Sequence, residues 1–153
     1  MTGRFETFTL SILELNRFIQ KIKDIEMKKF GLRGGHTMCL YYLGKHPEGL
    51  TVTGLTELCL EDKAAISRSI SQLLKKGFVT CTFPEGKRTY RTLYYLTDDG
   101  ERVVSSILSR IEAALSVGGS GLSNEDRRVL YSSMTLILNN LKRHIEEIEK
   151  CTT

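Results

Sequence analysis

The sequence predicts a mainly α-helical chain that carries one small β-hairpin. Two observations predict it. Apolar residues recur at three- and four-residue steps through most of the 153 residues. Between about Val79 and Leu96 that period changes to two, in segments rich in β-branched and aromatic residues. A hydrophobic fraction of 41% and a charged fraction of 26% belong to an ordinary globular protein, and the length suits one domain spanning 1–153. No apolar run is long enough to span a membrane. The opening residues lack the basic-then-apolar order of a secretory signal. Cys39, Cys59, Cys81 and Cys151 show no C-x-x-C pairing and read as the reduced thiols of a cytoplasmic protein.

The first helix is expected over 5–30. Phe8, Ile12, Leu15, Phe18, Ile19, Ile22 and Ile25 form its apolar stripe, and Gly31 ends it. A second helix, about His36 to Lys45, closes at the turn His46-Pro47-Glu48-Gly49. Thr51 or Thr53 caps a short third helix running to about Leu60, and Asp62 caps a fourth that ends at Gly77. The strands Val79–Phe83 and Tyr90–Leu96 flank a tip, Pro84 to Thr89, of turn formers and basic residues. Thr97 caps a fifth helix that opens on Asp98 and Asp99, where the helix dipole favours acids. The linker Gly118-Gly119-Ser120-Gly121 follows, and Ser123 opens the last helix with a start like a capping box.

The fourth helix has two faces of opposite chemistry. At about 100° per residue, Ile66, Ile70, Leu73 and Leu74 share one stripe, while Ala64, Arg68, Ser71 and Lys75 lie opposite, flanked by Ser67 and Gln72. Between Glu61 and Arg91 stand seven basic and three acidic residues, a surplus equal to the whole chain's net charge of +4. Concentrated positive charge is what a polyanion-binding surface needs. An amphipathic surface helix in a solvated lysine-rich stretch would explain the stripe. It would not explain Lys87, Arg88 and Arg91 falling at or near a hairpin tip just after it. Short helices followed by a hairpin make the order of a winged helix-turn-helix, with small polar residues that let the fourth helix enter a major groove and an arginine that reaches a guanine edge or a phosphate.

The runs Gly49-Leu50-Thr51-Val52-Thr53-Gly54-Leu55-Thr56-Glu57-Leu58, Asp62-Lys63-Ala64-Ala65-Ile66-Ser67-Arg68-Ser69-Ile70 and Leu73-Leu74-Lys75-Lys76-Gly77-Phe78-Val79 resemble the MarR (multiple antibiotic resistance regulator) family, as does the closing Tyr95-Leu96-Thr97-Asp98-Asp99-Gly100. The resemblance implies a homodimeric transcriptional regulator. Helices over 5–30 and 101–150 would form the dimer, and a winged lobe over 34–98 would bind a palindromic operator in double-stranded DNA. Arg68 matches the family's recurrent recognition-helix arginine, and Lys63, Ala64 and Ser67 match neighbouring DNA-facing positions. Thr51, Thr53, Ser71 and Lys75 complete the expected helical contacts, and Lys87, Arg88 and Arg91 supply the wing. There the chain departs from the family's Asp-x-Arg pair, reading Glu85-Gly86-Lys87-Arg88-Thr89-Tyr90-Arg91, so the wing arginine is either Arg88 or Arg91.

Dimerisation also has support in the residues themselves, because two long terminal apolar stripes exceed what one small lobe covers. A repressor released by a small-molecule effector is the expected mode of action, with Phe18, Tyr41 and Tyr42 lining the effector crevice. Two other readings remain: a winged helix used for protein–protein contact, and a thiol- or metal-responsive regulator. The pairs His36 with Cys39 and His144 with Glu147 lack a third and fourth ligand at local spacing, so no metal or cofactor is expected. The glycine run at 118–121 lacks the Lys-Ser/Thr of a phosphate cradle. The three histidines lack partners for a triad, so no catalytic residue and no enzymatic activity are expected.

Overall fold

The computed structural model describes residues 2–82 and 92–152. In chain order these form α1 (Thr2–Lys28), α2 (His36–Lys45), α3 (Val52–Cys59), α4 (Lys63–Lys75), β1 (Val79–Thr82), β2 (Leu93–Leu96), α5 (Asp98–Gly118) and α6 (Asn124–Thr152). The expected mainly α fold with a small antiparallel hairpin is thus the observed one. Expected tip residues Lys87, Arg88 and Arg91 lie outside the described residues. The chain forms two compact units, residues 1–112 and 113–153.

In the first unit α2, α3 and α4 pack around one core. Leu40 and Leu43 of α2, Leu55 of α3, and Ile66, Ile70 and Leu73 of α4 are among its fully buried side chains, joined by Met27 of α1. Val79 begins the hairpin inside this core, and β1 pairs antiparallel with β2 in the register Val79 with Leu96 and Thr82 with Leu93. Leu50, just before α3, exchanges backbone hydrogen bonds with Tyr94 at 3.1 and 2.9 Å, which ties the α2–α3 turn to the hairpin stem. Val103, Val104 and Ile107 seal the α5 side.

Boundaries differ from the expected ones for local reasons. Helix α1 is already formed at Thr2, ahead of the expected start. It stops at Lys28, where Phe30 and Gly31 turn back on Met27 and Lys28 carbonyls. Helix α3 stops at Cys59 because Leu60 adopts a left-handed conformation, φ 56°. Thr51, in extended backbone, is the residue that caps α3: its hydroxyl accepts the Gly54 N–H at 3.1 Å, while Thr53 already lies inside the helix.

The N-terminal stretch of α1 buries almost nothing within its unit. Phe8, Ile12, Leu15, Phe18, Ile19, Ile22 and Ile25 remain 39–59% exposed. In the second unit α6 shows the same surplus: its apolar residues, from Leu130 through Met134, Ile137, Leu141 and Ile145 to Ile148, are all exposed. Its start is a reciprocal cap in which Ser123 and Asp126 satisfy each other's backbone N–H groups.

Candidate nucleic-acid interface

Helix α4 begins where Asp62, in extended backbone, accepts the Ala65 N–H at 2.8 Å, satisfying one of the free amides of the first turn. It ends in a Schellman turn. Gly77 at φ 75° donates to the Leu74 carbonyl and Phe78 to the Leu73 carbonyl, a conformation that suits glycine because it has no Cβ. Between these ends the two faces separate as the spacing predicts. Ile66, Ile70 and Leu73 are buried, whereas Lys63, Ala64, Arg68, Ser71 and Lys75 are exposed and Ser67 is half-buried.

The exposed face is small and polar with positive charge along its length. The Arg68 guanidinium has no hydrogen-bond or ion-pair partner among the described residues, so all its donors are free for an external acceptor. Ser71 donates to the Ser67 carbonyl at 2.9 Å and keeps its lone pairs outward. Lys63 and Lys75 stand at the two ends of the same helix, both exposed. Of the two threonines, Thr53 is exposed, and Thr51 is half-buried with its hydroxyl committed to the α3 cap.

Two residue contacts that the sequence does not announce hold α4 in place. Buried His36, at the start of α2, places Nε2 2.8 Å from Gln72 Oε1 and Nδ1 3.1 Å from the Arg33 amide. Nδ1 also lies 2.9 Å from the Arg33 carbonyl, so the imidazole bridges Arg33, ahead of α2, to Gln72 of α4. Thirty-six residues separate His36 from Gln72, and no local pattern joins them. At the other end the Thr97 hydroxyl donates to the Gly77 carbonyl at 2.6 Å and accepts the Gly100 N–H at 3.1 Å. The Thr97 N–H donates to the Phe78 carbonyl. The C-terminus of α4, both hairpin strands and the N-terminus of α5 are thus fastened at one knot.

The expected effector residues sit apart from this face. Tyr41 and Tyr42 are half-buried and meet edge to face at 5.2 Å, with the Lys45 ammonium 5.0 Å above the Tyr41 ring. Tyr41 lines a cavity of about 10 Å³, room for a water, with Thr37, Leu40, Val104, Ile107, Leu108 and Ile111. Tyr42 packs against the core instead, and Phe18 is exposed on α1 beneath the Arg17 guanidinium.

A helix-turn-helix whose second helix presents a free polar face, followed by a fastened antiparallel hairpin, defines the winged helix-turn-helix class. Residues 30–89 match the MarR family. In fold the chain is similar to solved structures of MarR-family regulators over most of its length. It is similar to the transcriptional regulator SlyA at 22% identity and a TM-score of 0.81, covering 92% of this chain and 98% of that one. It is similar to a putative MarR family regulator from Listeria monocytogenes complexed with 26mer DNA, at 21% identity and a TM-score of 0.77 over 93% of each chain. It is also similar to Staphylococcus aureus MarR in complex with salicylate and kanamycin, at 15% identity and a TM-score of 0.80, covering 92% and 94%. None of the curated protein sequences compared with the chain matches it. The resemblance read from the residues is borne out as far as this: residues 30–89 match the MarR family, and the fold is that of solved MarR-family structures.

Proposed function

We propose that the protein is a homodimeric, sequence-specific DNA-binding repressor that acts in the cytoplasm on a palindromic operator and is released by a small-molecule effector. The observation that carries the DNA reading is the α4 face centred on Arg68: small, polar and positively charged, with the Arg68 guanidinium unpartnered among the described residues. Lys63, Ala64, Ser67, Arg68, Ser71 and Lys75 enter the major groove, Thr51 and Thr53 approach the backbone at the start of α3, and Lys87, Arg88 and Arg91 serve as the wing. The DNA complex of the Listeria monocytogenes neighbour supports this reading by analogy of fold.

The test is a gel shift with the duplex that the purified protein selects from a randomised pool. Binding through phosphates releases counterions, so log affinity should fall linearly with log salt, by about 0.9 per phosphate contacted. Affinity that is flat in salt, or selection of no duplex, would instead favour a winged helix that contacts protein.

Dimerisation is supported by the exposed apolar stripes of α1 and α6. Covering them with a second copy of the chain removes that surface from water, at about 25 cal/mol per Å². It also spaces two copies of α4 about 34 Å apart, one turn of DNA. Light scattering at micromolar concentration should return twice the chain mass of 17.3 kDa; a monomer would contradict this part of the proposal. The effector crevice is assigned to Phe18, Tyr41 and Tyr42. Its support is the salicylate bound by the Staphylococcus aureus neighbour.

A further inference from the structure

Gln72 follows Arg68 by one helical turn on α4, about 40° around the axis from it and away from the buried stripe of Ile66, Ile70 and Leu73. It is exposed, yet it is tied inward. Its Oε1 stands 2.8 Å from Nε2 of His36, a residue that keeps only 4% of its surface exposed. The seat of that imidazole is itself fixed. Nδ1 lies 3.1 and 2.9 Å from the Arg33 amide and carbonyl, and the His36 and Thr37 N–H groups close on the Arg33 and Gly34 carbonyls at 3.0 Å. The Gly34 N–H in turn donates to the Asp24 carboxylate of α1 at 2.7 Å.

Two consequences follow for Gln72. Fixing a glutamine costs side-chain entropy, and here that cost is met on folding, before any ligand arrives. The contact also decides which end of the amide is offered. With Oε1 turned to the imidazole, the NH2 group is the end left over, and it has no partner among the described residues. A free glutamine reads adenine with both ends together, at N6 and N7. A glutamine whose oxygen is engaged has donors alone to present, and these suit the N7 and O6 acceptors of guanine.

We propose that Gln72 is a further base-reading residue of α4, donating to a guanine acceptor edge, and that buried His36 is the positioning residue that holds it there. The inference rests on the DNA reading above and deepens it. Four helical residues rise about 6 Å, so the base read by Gln72 lies about two base pairs from the one read by Arg68. A tie that merely fastened α4 to the start of α2 would leave base preference independent of the residue at position 72.

The experiment compares the duplexes that the full chain and its variants select from a randomised pool. The unmutated chain should prefer guanine at the Gln72 position. Gln72→Ala should lower affinity for that duplex about tenfold and relax preference at that position alone. Gln72→Glu is the sharper variant, because its carboxylate still accepts from His36 but offers no donor. It should keep the melting temperature of the unmutated chain and lose the guanine preference. His36→Phe fills the same space without a polar atom. It should relax the same position, leave the Arg68 position intact, and add no further loss of preference to Gln72→Ala.

The hold on Gln72 is read without DNA. Nitrogen relaxation of its side-chain amide should give an order parameter near the value of about 0.85 for rigid backbone, falling below about 0.6 in His36→Phe. A value that low in the unmutated chain would overturn the positioning role. The Gln72 variants change an exposed site and decide the base contact should His36→Phe fail to fold. Variants that select the same duplex with the same affinity would overturn that contact. Affinity lost equally on every duplex would place the NH2 on a phosphate and overturn it as well. Failure of the unmutated chain to select any duplex would refute the DNA reading and the base contact together, a different result from a selected duplex that is blind to Gln72.

Discussion

Arg68→Ala should lower affinity for the selected duplex by about 10²–10³-fold while leaving folding and oligomeric state unchanged. The size follows from the contact. A bidentate arginine–guanine pair contributes about 1–3 kcal/mol, and a two-fold operator would contain two such pairs. The clean separation from stability follows from the structure, because Arg68 is exposed and no described residue depends on it. Arg68→Lys sharpens the test. Lysine keeps the charge but not the planar fork, so a base contact is lost in both variants, whereas a phosphate contact survives in the lysine form. The salt slope gives an independent reading: loss of a phosphate contact lowers it by about one per half-site, while loss of a base contact relaxes sequence preference at one position. Gel shifts with equal affinity for the Arg68→Ala and unmutated proteins would move the reading surface away from α4.

The α4 faces were legible because the information is local. Asp62 stands at the first free amide, Ile66, Ile70 and Leu73 recur at helical steps, and Gly77 supplies the left-handed turn. Choosing between Thr51 and Thr53 as the α3 cap was not, since either hydroxyl precedes an apolar run. What decides it is that Thr51 is extended at φ −80°, ψ 164°. Contacts that cross the fold carried no sequence signal at all. His36 and Gln72 meet only because α2 and α4 pack on the same core. For the same reason the i, i+3 spacing of His36 and Cys39 misleads as a ligand pair. The imidazole is turned to Arg33 and Gln72, while the thiol is buried in the core. Gly100 is intermediate. Its place after Leu96-Thr97 resembles a family pattern, but the physical reason for a glycine there emerges only when α5 is set against the end of α4.

That reason predicts the largest stability effect in the molecule. Gly100 lies in the first turn of α5, buried, and a Cβ added to it would stand 2.1 Å from the Phe78 carbonyl oxygen, 3.1 Å from that carbonyl carbon and 3.2 Å from the Leu96 side chain. The oxygen cannot step aside cheaply, because it accepts the Thr97 N–H at 3.1 Å and follows the Schellman turn that closes α4. Replacing glycine by alanine inside a helix ordinarily stabilises by up to about 1 kcal/mol. Here the overlap should reverse the sign, and Gly100→Ala should destabilise by about 3 kcal/mol, lowering Tm by roughly 10 °C. Gly118→Ala is the control: its added Cβ would meet nothing within 4 Å in the last turn of α5, so that variant should be neutral or slightly more stable. Denaturant melts of the two variants settle the matter, and equal midpoints would refute the close approach. Should the chain survive by separating α5 from Phe78, the cost would surface in binding. The bonds from Thr97 to Gly77 and Phe78 are those that fasten α4 and both strands of the wing stem together, so a loosened knot should weaken operator affinity even though Gly100 never touches DNA.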